Sequence, residues 1–398
     1  MTTLFDPRDP ALRADPYPVY RRLRDTDPVH RTASGYWVLT RYDDIEAILK
    51  DSSTSSGFPW DETWAKHRGG GESPIVRSTR NWMMMLDGAA HRRIRRLVGH
   101  VFTIRAIERL RPRIRAAVDE QFDRIGEGEV DLVSEIALPL PIVVIGELLG
   151  IPREDRARCR EWTDKIGHVV DPFITPEMRD DMNSAETEFR GYLAGQLDQR
   201  KREPGDDLLT SLLTATLDGE RLSDDEIIAN VLLLFNAGHE TTVNTVGNSV
   251  LALLRHPEQL DLVREHPEAI PEGVDELTRY DAPVQAAARL LTGDVELAGK
   301  TIPRGSKVMV LYGAANRDPA RYRDPDRLDL RRGGIKALAF GSGPHFCIGA
   351  PLGRLEAEVV LTALFERYRT VEPTTDEVTW RPNFTLRGLA ALPVKLLH

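Results

Sequence analysis

The stretch spanning residues 223–255 constrains the fold more than any other. Ser223-Asp-Asp-Glu226 is a capping box, a serine and a glutamate spaced so that each side chain can bond the other's backbone N–H. No proline follows until Pro257, so a helix of about 30 residues and roughly 45 Å is predicted, long enough to cross the molecule. Val231-Leu-Leu-Leu-Phe235 in its middle is apolar on every side, the mark of a buried central helix. The apolar run is too short for a membrane span.

That helix carries an anomaly. Ala237-Gly238-His239-Glu240-Thr241-Thr242 puts an acid and hydroxyls into its interior. Threonine there competes for backbone hydrogen bonds, a buried carboxylate is costly, and Gly238 weakens a helix by about 1 kcal/mol relative to alanine. Each residue singly fits a packing site with a satisfied hydroxyl. Together they predict a helix deformed for function, with proton delivery to a small ligand as its chemistry.

A second anomaly lies near the C-terminus, in Phe340-Gly-Ser-Gly343-Pro-His345-Phe-Cys347-Ile-Gly349. Gly343 and Gly349 allow turns that a Cβ resists. Apolar residues at Leu352, Leu355, Val359 and Ala363 then follow a helical spacing. Cys347 therefore opens a helix, where N–H groups and the positive dipole end favour a thiolate. A thiolate so held is a good axial ligand for haem iron. A lone cysteine is more often a small buried hydrophobe, which is how Cys159, in a charged helical stretch, is read.

Two cysteines in 398 residues exclude a disulfide framework and fit a reducing compartment. A net charge of −9 argues against nonspecific nucleic-acid binding. The N-terminal 29 residues are polar and proline-rich, with neither a signal h-region nor a membrane span, so a cytoplasmic protein is expected. No repeat or low-complexity linker divides the chain, which reads as one domain over residues 1–398. Helices are predicted at 17–25 and 43–50, a strand at 36–40, and mostly helix from 91 to 280. Short strands around turns follow in 295–303 and 307–311. The class is mainly α with minor β-sheet. Residues 51–81, rich in Ser, Gly and Pro, read as a long loop. Trp60, Trp64 and Trp82-Met83-Met84-Met85 make it a lid over an apolar pocket.

Three further patterns are weak singly. Glu276 and Arg279 form an i, i+3 pair on one helical face, commonly just a surface ion pair. The charged segments Ala315-Asn-Arg-Asp-Pro319 and Asp324-Pro-Asp-Arg327 could supply the extra cation such a pair needs if buried. His91 and Arg95 share a face in a stretch where nine arginines and one glutamate fall between His91 and Arg115. A charge run is by default a solvated face; binding of cofactor carboxylates and docking of an acidic partner compete with that reading.

Taken in order, His-x-x-x-Arg, Ala-Gly-x-Glu-Thr, Glu-x-x-Arg and the cysteine loop make the chain resemble the cytochrome P-450 superfamily, more closely its soluble bacterial members. The likeness covers essentially the whole chain, from Asp6-Pro7 and Asp15-Pro-Tyr-Pro-Val19 to Arg381-Pro-Asn-Phe-Thr-Leu-Arg-Gly388. It implies haem b (iron protoporphyrin IX) as cofactor, with Cys347 the iron ligand, Gly349 completing its loop and Phe340 shielding the sulfur. His91, Arg95, Arg289 and His345 match positions that hold the haem propionates, and charge-assisted donors suit carboxylates. Glu276 and Arg279, with Arg327 as third member, match a structural network. Glu240 and Thr241 match the acid–alcohol pair that relays protons during dioxygen activation, while Ala237 and Gly238 leave room for O2 and substrate. His239 points about 100° further round the helix and is expected to pack or hydrogen-bond.

The implied reaction is monooxygenation of a hydrophobic small-molecule substrate in secondary metabolism. Its pocket would be lined by residues 82–85, 233–237, 284–288 and 384–386. The matched segments fill the chain, so a separate ferredoxin and ferredoxin reductase are implied, with Arg92, Arg93 and Arg96 in the docking face. Two rivals stay open: a peroxide-driven peroxygenase, against which the proton relay argues, and a haem-thiolate sensor or binding protein without turnover. In one respect the chain departs from the pattern. Leu86-Asp-Gly-Ala-Ala-His91 replaces a proline-rich run before the histidine, which predicts a more flexible lid hinge.

Overall fold

In the computed structural model, which describes residues 4–171 and 173–398, helices dominate and three small sheets accompany them. Residues 1–3 of the polar N-terminal stretch lie outside the described residues. The chain divides into two compact units. One holds the chain up to Thr54 with Arg111–Leu140 and Thr241–His398; the other holds Ser55–Leu110 and Pro141–Glu240.

In the first unit, strand Lys307–Leu311 pairs in parallel with Trp37–Leu39 and antiparallel with Ala286–Leu291. Val29–Arg31 extends the sheet on one side and the two-residue strand Thr54–Ser55 ends it on the other. Alternate residues serve opposite faces, as the two-residue period of a strand requires. Leu39, Val308 and Val310 pack with Tyr42, Ile45 and Ile48 of helix Tyr42–Lys50. Val38, Met309 and Leu311 pack with Tyr20 and Leu23 of helix Tyr17–Thr26. With both faces covered, the sheet is a rigid base for the segment that follows it. A three-stranded sheet of Gly128–Asp131, Pro393–Leu397 and Thr370–Pro373 ties the chain's end to its middle.

The second unit is helical. Helix Arg156–Ile166 packs on Pro176–Arg202 through Trp162 stacked on Phe189, ring centres 5.1 Å apart. Phe189 meets Phe235 edge-on at 5.5 Å.

The long helix is one element, Asp224–Leu254. Its capping box forms in both directions: the Ser223 N–H donates to Glu226 Oε2 at 2.9 Å, and the Glu226 N–H to Ser223 Oγ at 3.3 Å. The expected deformation at Gly238 does not interrupt it. Residues 51–81 also differ from expectation, because they hold short helices at Phe58–Trp60, Glu62–His67 and Pro74–Thr79. Asp61 caps one of these through the Trp64 N–H at 2.7 Å, and Pro59 and Pro74 stand in first turns, where proline costs no hydrogen bond. Local caps thus organise what composition alone reads as loop.

Candidate active site

Construction of the cysteine loop begins at the end of the first unit's sheet. Beyond Leu311 the chain turns through Tyr312–Ala315 to Asn316, fully buried, whose Oδ1 accepts the Leu338 N–H at 2.7 Å. Tyr42 and Tyr322 both donate their hydroxyls to the Lys336 carbonyl, at 2.8 and 3.0 Å. The loop is therefore pinned just before Phe340. Gly343 has φ +71°, and a Cβ there would stand 2.5 Å from the Leu49 carbonyl oxygen. Only glycine fits. The Cys347 N–H donates to the Phe340 carbonyl at 2.9 Å, closing the loop, and helix Ala350–Arg367 starts three residues later.

The two cysteines differ as expected. Cys159 is buried, and burial pushes its thiol up to about 12. Cys347 is exposed, and Phe346 beside it is 38% exposed. A thiol presented at a helix start beside an open phenyl ring is a surface that a flat apolar prosthetic group would cover, and a thiolate is the donor that haem iron takes. Phe340 stacks under the Arg354 guanidinium at 4.4 Å, and Arg354 pairs with Asp275 at 2.6 Å. Arg289 is nearly buried in strand Ala286–Leu291. Its strand pairs with Lys307–Leu311, directly before Tyr312, and a Cβ on Gly341 of the cysteine loop would stand 3.5 Å from the Tyr312 hydroxyl. Burial raises that phenol, Arg289 opposes and Cys347 adds to the rise.

Glu276 and Arg279 do form a buried pair, fully enclosed, with bonds of 2.6 and 2.8 Å. Its third member is not the Arg327 side chain, which is exposed. Arg327 supplies only its carbonyl, to Arg279 at 3.2 Å; the second guanidinium is Arg332, 3.1 Å from Glu276 Oε1. The chain turns between these two arginines, and sequence spacing could not say which one turned inward.

On the long helix, residues 227–235 are all buried. Ala237 is then exposed, and Gly238, Glu240 and Thr241 are partly open. Burial resumes at Thr242. The acid–alcohol motif thus occupies a short window in an otherwise covered helix. A methyl on Gly238 would meet only Ile145, at 3.9 Å, so there is space beside it. His239 is 2% exposed, packed inside the helix cover, with its Nδ1 3.7 Å from Asp164 Oδ1, within ion-pair range but beyond a hydrogen bond.

In helix Gly88–Val101, His91 is buried and Arg95 lies partly covered one turn on. The hinge before them is held: Asp87 accepts from Ser55 Oγ at 2.5 Å and from the Ser56 N–H at 3.1 Å. Met83 and Met85 are buried, and the Met83 N–H donates to Asn230 Oδ1 at 2.9 Å. Arg93 is ion-paired with Glu226, and Arg96 with Asp218 at 2.9 Å and Glu220 at 3.3 Å. Among the described residues Arg92 is exposed and outside any ion pair.

One titratable group escaped the sequence reading. Glu356 is buried in helix Ala350–Arg367 and accepts a 3.3 Å bond from Thr242 Oγ1 of the long helix. Burial raises its carboxyl and the Thr242 bond opposes, which together leave it pushed up to about 8. The signal was available: Glu356 falls on the same stripe as Leu352, Leu355 and Val359.

Comparison with known proteins agrees with this architecture. The Cytochrome P-450 family model matches residues 29–397. The chain belongs to the cytochrome P-450 family. It is 40% identical to the cytochrome P-450 monooxygenase PikC of Streptomyces venezuelae, over 96% of this chain and 91% of PikC. It is 38% identical to 6-deoxyerythronolide B hydroxylase of Saccharopolyspora erythraea, with both chains fully covered. The solved structure of P-450BioI, in complex with an acyl carrier protein ligated to hexadec-9Z-enoic acid, superposes with a TM-score of 0.92 at 34% identity, covering 97% of this chain and 99% of that one. The cytochrome is therefore an oxidoreductase, a haem-dependent monooxygenase. No helix among its described residues is long and apolar enough to cross a membrane.

Proposed function

We propose that this cytochrome inserts one oxygen atom of O2 into a bulky hydrophobic molecule of secondary metabolism, with two electrons drawn from a separate ferredoxin and its reductase. The observation that carries the reading is the exposed Cys347 in a loop closed by its own N–H and opening a helix. The name of one relative, 6-deoxyerythronolide B hydroxylase, supports the substrate class.

Cys347 is the ligand of haem b, with Gly349 and Phe340 shaping its surroundings. His91, Arg95, Arg289 and His345 hold the two propionates through charge-assisted bonds. Bound haem supplies the centre at which O2 is reduced. Overall, substrate R–H, O2, two electrons and two protons give R–OH and water. The protein's part is to admit substrate beside Ala237 and Gly238, and to pass protons from Glu240 through the Thr241 hydroxyl.

The test is the absorption spectrum of the reduced protein under carbon monoxide. A strongly red-shifted Soret band, lost in Cys347→Ser, is expected; an ordinary haem–CO spectrum from the folded parent would overturn the assignment. Turnover that runs on hydrogen peroxide and fails with ferredoxin, reductase and NAD(P)H would overturn the electron-transfer part.

A further inference from the structure

Glu240 must recover a proton after each transfer, and in the second unit a histidine at the edge of a surface cavity lies near enough to feel its charge. The end of helix Arg156–Ile166 lies against the Glu240 turn. Asn236 Nδ2 donates to the Thr163 carbonyl at 2.9 Å, and a methyl on Gly167 would stand 3.5 Å from Glu240 Oε2. The next residue, His168, is 39% exposed, with Nδ1 2.9 Å from Asp171 Oδ2. It forms part of the wall of a surface cavity of about 500 Å³, shared with Glu161, Asp164, Lys165, Glu177 and Asp181. We propose that His168 is a positioning residue for proton delivery, linking water in this cavity to Glu240. The proposal rests on the role given to Glu240 above.

The charges around the imidazole suit that task. Asp171 raises it most, through its bond; burial opposes; the charges of Asp171, Glu240 and Asp164 then raise it further. Glu161 lies with Asp164 on one helix, Glu177 and Asp181 come from helix Pro176–Arg202, and Lys165 is the opposing cation on the wall. Below its raised pKa, His168 is an imidazolium. With Nδ1–H held by Asp171, Nε2 gives its proton to the Glu240 carboxylate and takes one back from cavity water. Nothing else is consumed.

Histidine NMR titration of the reduced, carbon monoxide-bound holoenzyme tests the link, with His168→Gln assigning the resonance. His168 is expected to titrate above 6.5 and to shift downward in Glu240→Gln. An unchanged pKa in that variant overturns the proposal. The second readout is the pH profile of oxygen consumption with a surrogate ferredoxin and reductase. The parent rate is expected to fall as pH rises through the His168 pKa, and His168→Gln to lose that dependence. A parent-like profile in His168→Gln overturns the proposal even if the NMR shift is found. Failure of the underlying reading looks different: Glu240→Gln itself would then consume oxygen and couple it to NADPH as the parent does.

Discussion

Burial leaves the Glu356 carboxyl facing Thr242 and raises it from an ordinary 4.5 to about 8. Between those values the folded chain holds a proton that the unfolded chain has lost. Folding takes up that proton, so this residue's contribution makes stability fall as pH rises through the window. At pH 7 the effect is about 3 kcal/mol. Glu356→Gln keeps an oxygen for the Thr242 bond and cannot ionise. Urea unfolding at pH 5.5 and pH 8 is expected to show the variant gaining on the parent as pH rises; a gap independent of pH would count against a neutral buried Glu356. The residues proposed to carry chemistry stand out in sequence, because each breaks a local rule: Cys347 in a glycine frame, Glu240 and Thr241 inside an apolar helix. Glu356 breaks the same rule, on the stripe of Leu352, Leu355 and Val359, and passed as one more helix glutamate. His168 was invisible, since its meaning comes from Asp171, Asp164 and Glu240 around it.

Elements with strong periodicity and caps ended close to where sequence placed them. Helix Asp224–Leu254 stops one residue short of the predicted Arg255, and strand Lys307–Leu311 has its predicted bounds. Residues 51–81 read as loop in sequence because their helices are too short for periodicity to register, and are set by single caps such as Asp61. The Glu276–Arg279 element shows the complementary case, in which the pair is legible and its surroundings are not. Glu276→Gln leaves Arg279 and Arg332 without their buried carboxylate, and should cost about 3–5 kcal/mol in denaturant unfolding. Arg332→Ala should cost about 1–3 kcal/mol. Arg327→Ala, which removes an exposed side chain and keeps the carbonyl, should stay within about 0.5 kcal/mol. A larger loss at Arg327 than at Arg332 would contradict the network described.

At the scale of the whole molecule, the basic run between His91 and Arg115 divides by what each arginine meets. Arg93 and Arg96 are occupied by Glu226, Asp218 and Glu220, and Arg111 by Glu358; Arg92 is exposed. Charge reversal at Arg92 is expected to raise the apparent KM for ferredoxin, more at low salt than at high, and to leave the unfolding midpoint nearly unchanged. Arg93→Glu should lower the midpoint, because Glu226 then faces a like charge beside its capping box. Steady-state kinetics with urea unfolding separates the two, and an unchanged KM in Arg92→Glu would remove that residue from the docking face. Sequence by itself determined the helical class, the long capped helix, the cysteine loop and the family they signal, because glycine φ requirements, caps and apolar periodicity act over a few residues. Tertiary structure decided which cation completes the Glu276 pair, which arginines remain available and which carboxyl is kept neutral. Those outcomes depend on the dielectric and charge that distant segments bring to one point, and no local pattern encodes them.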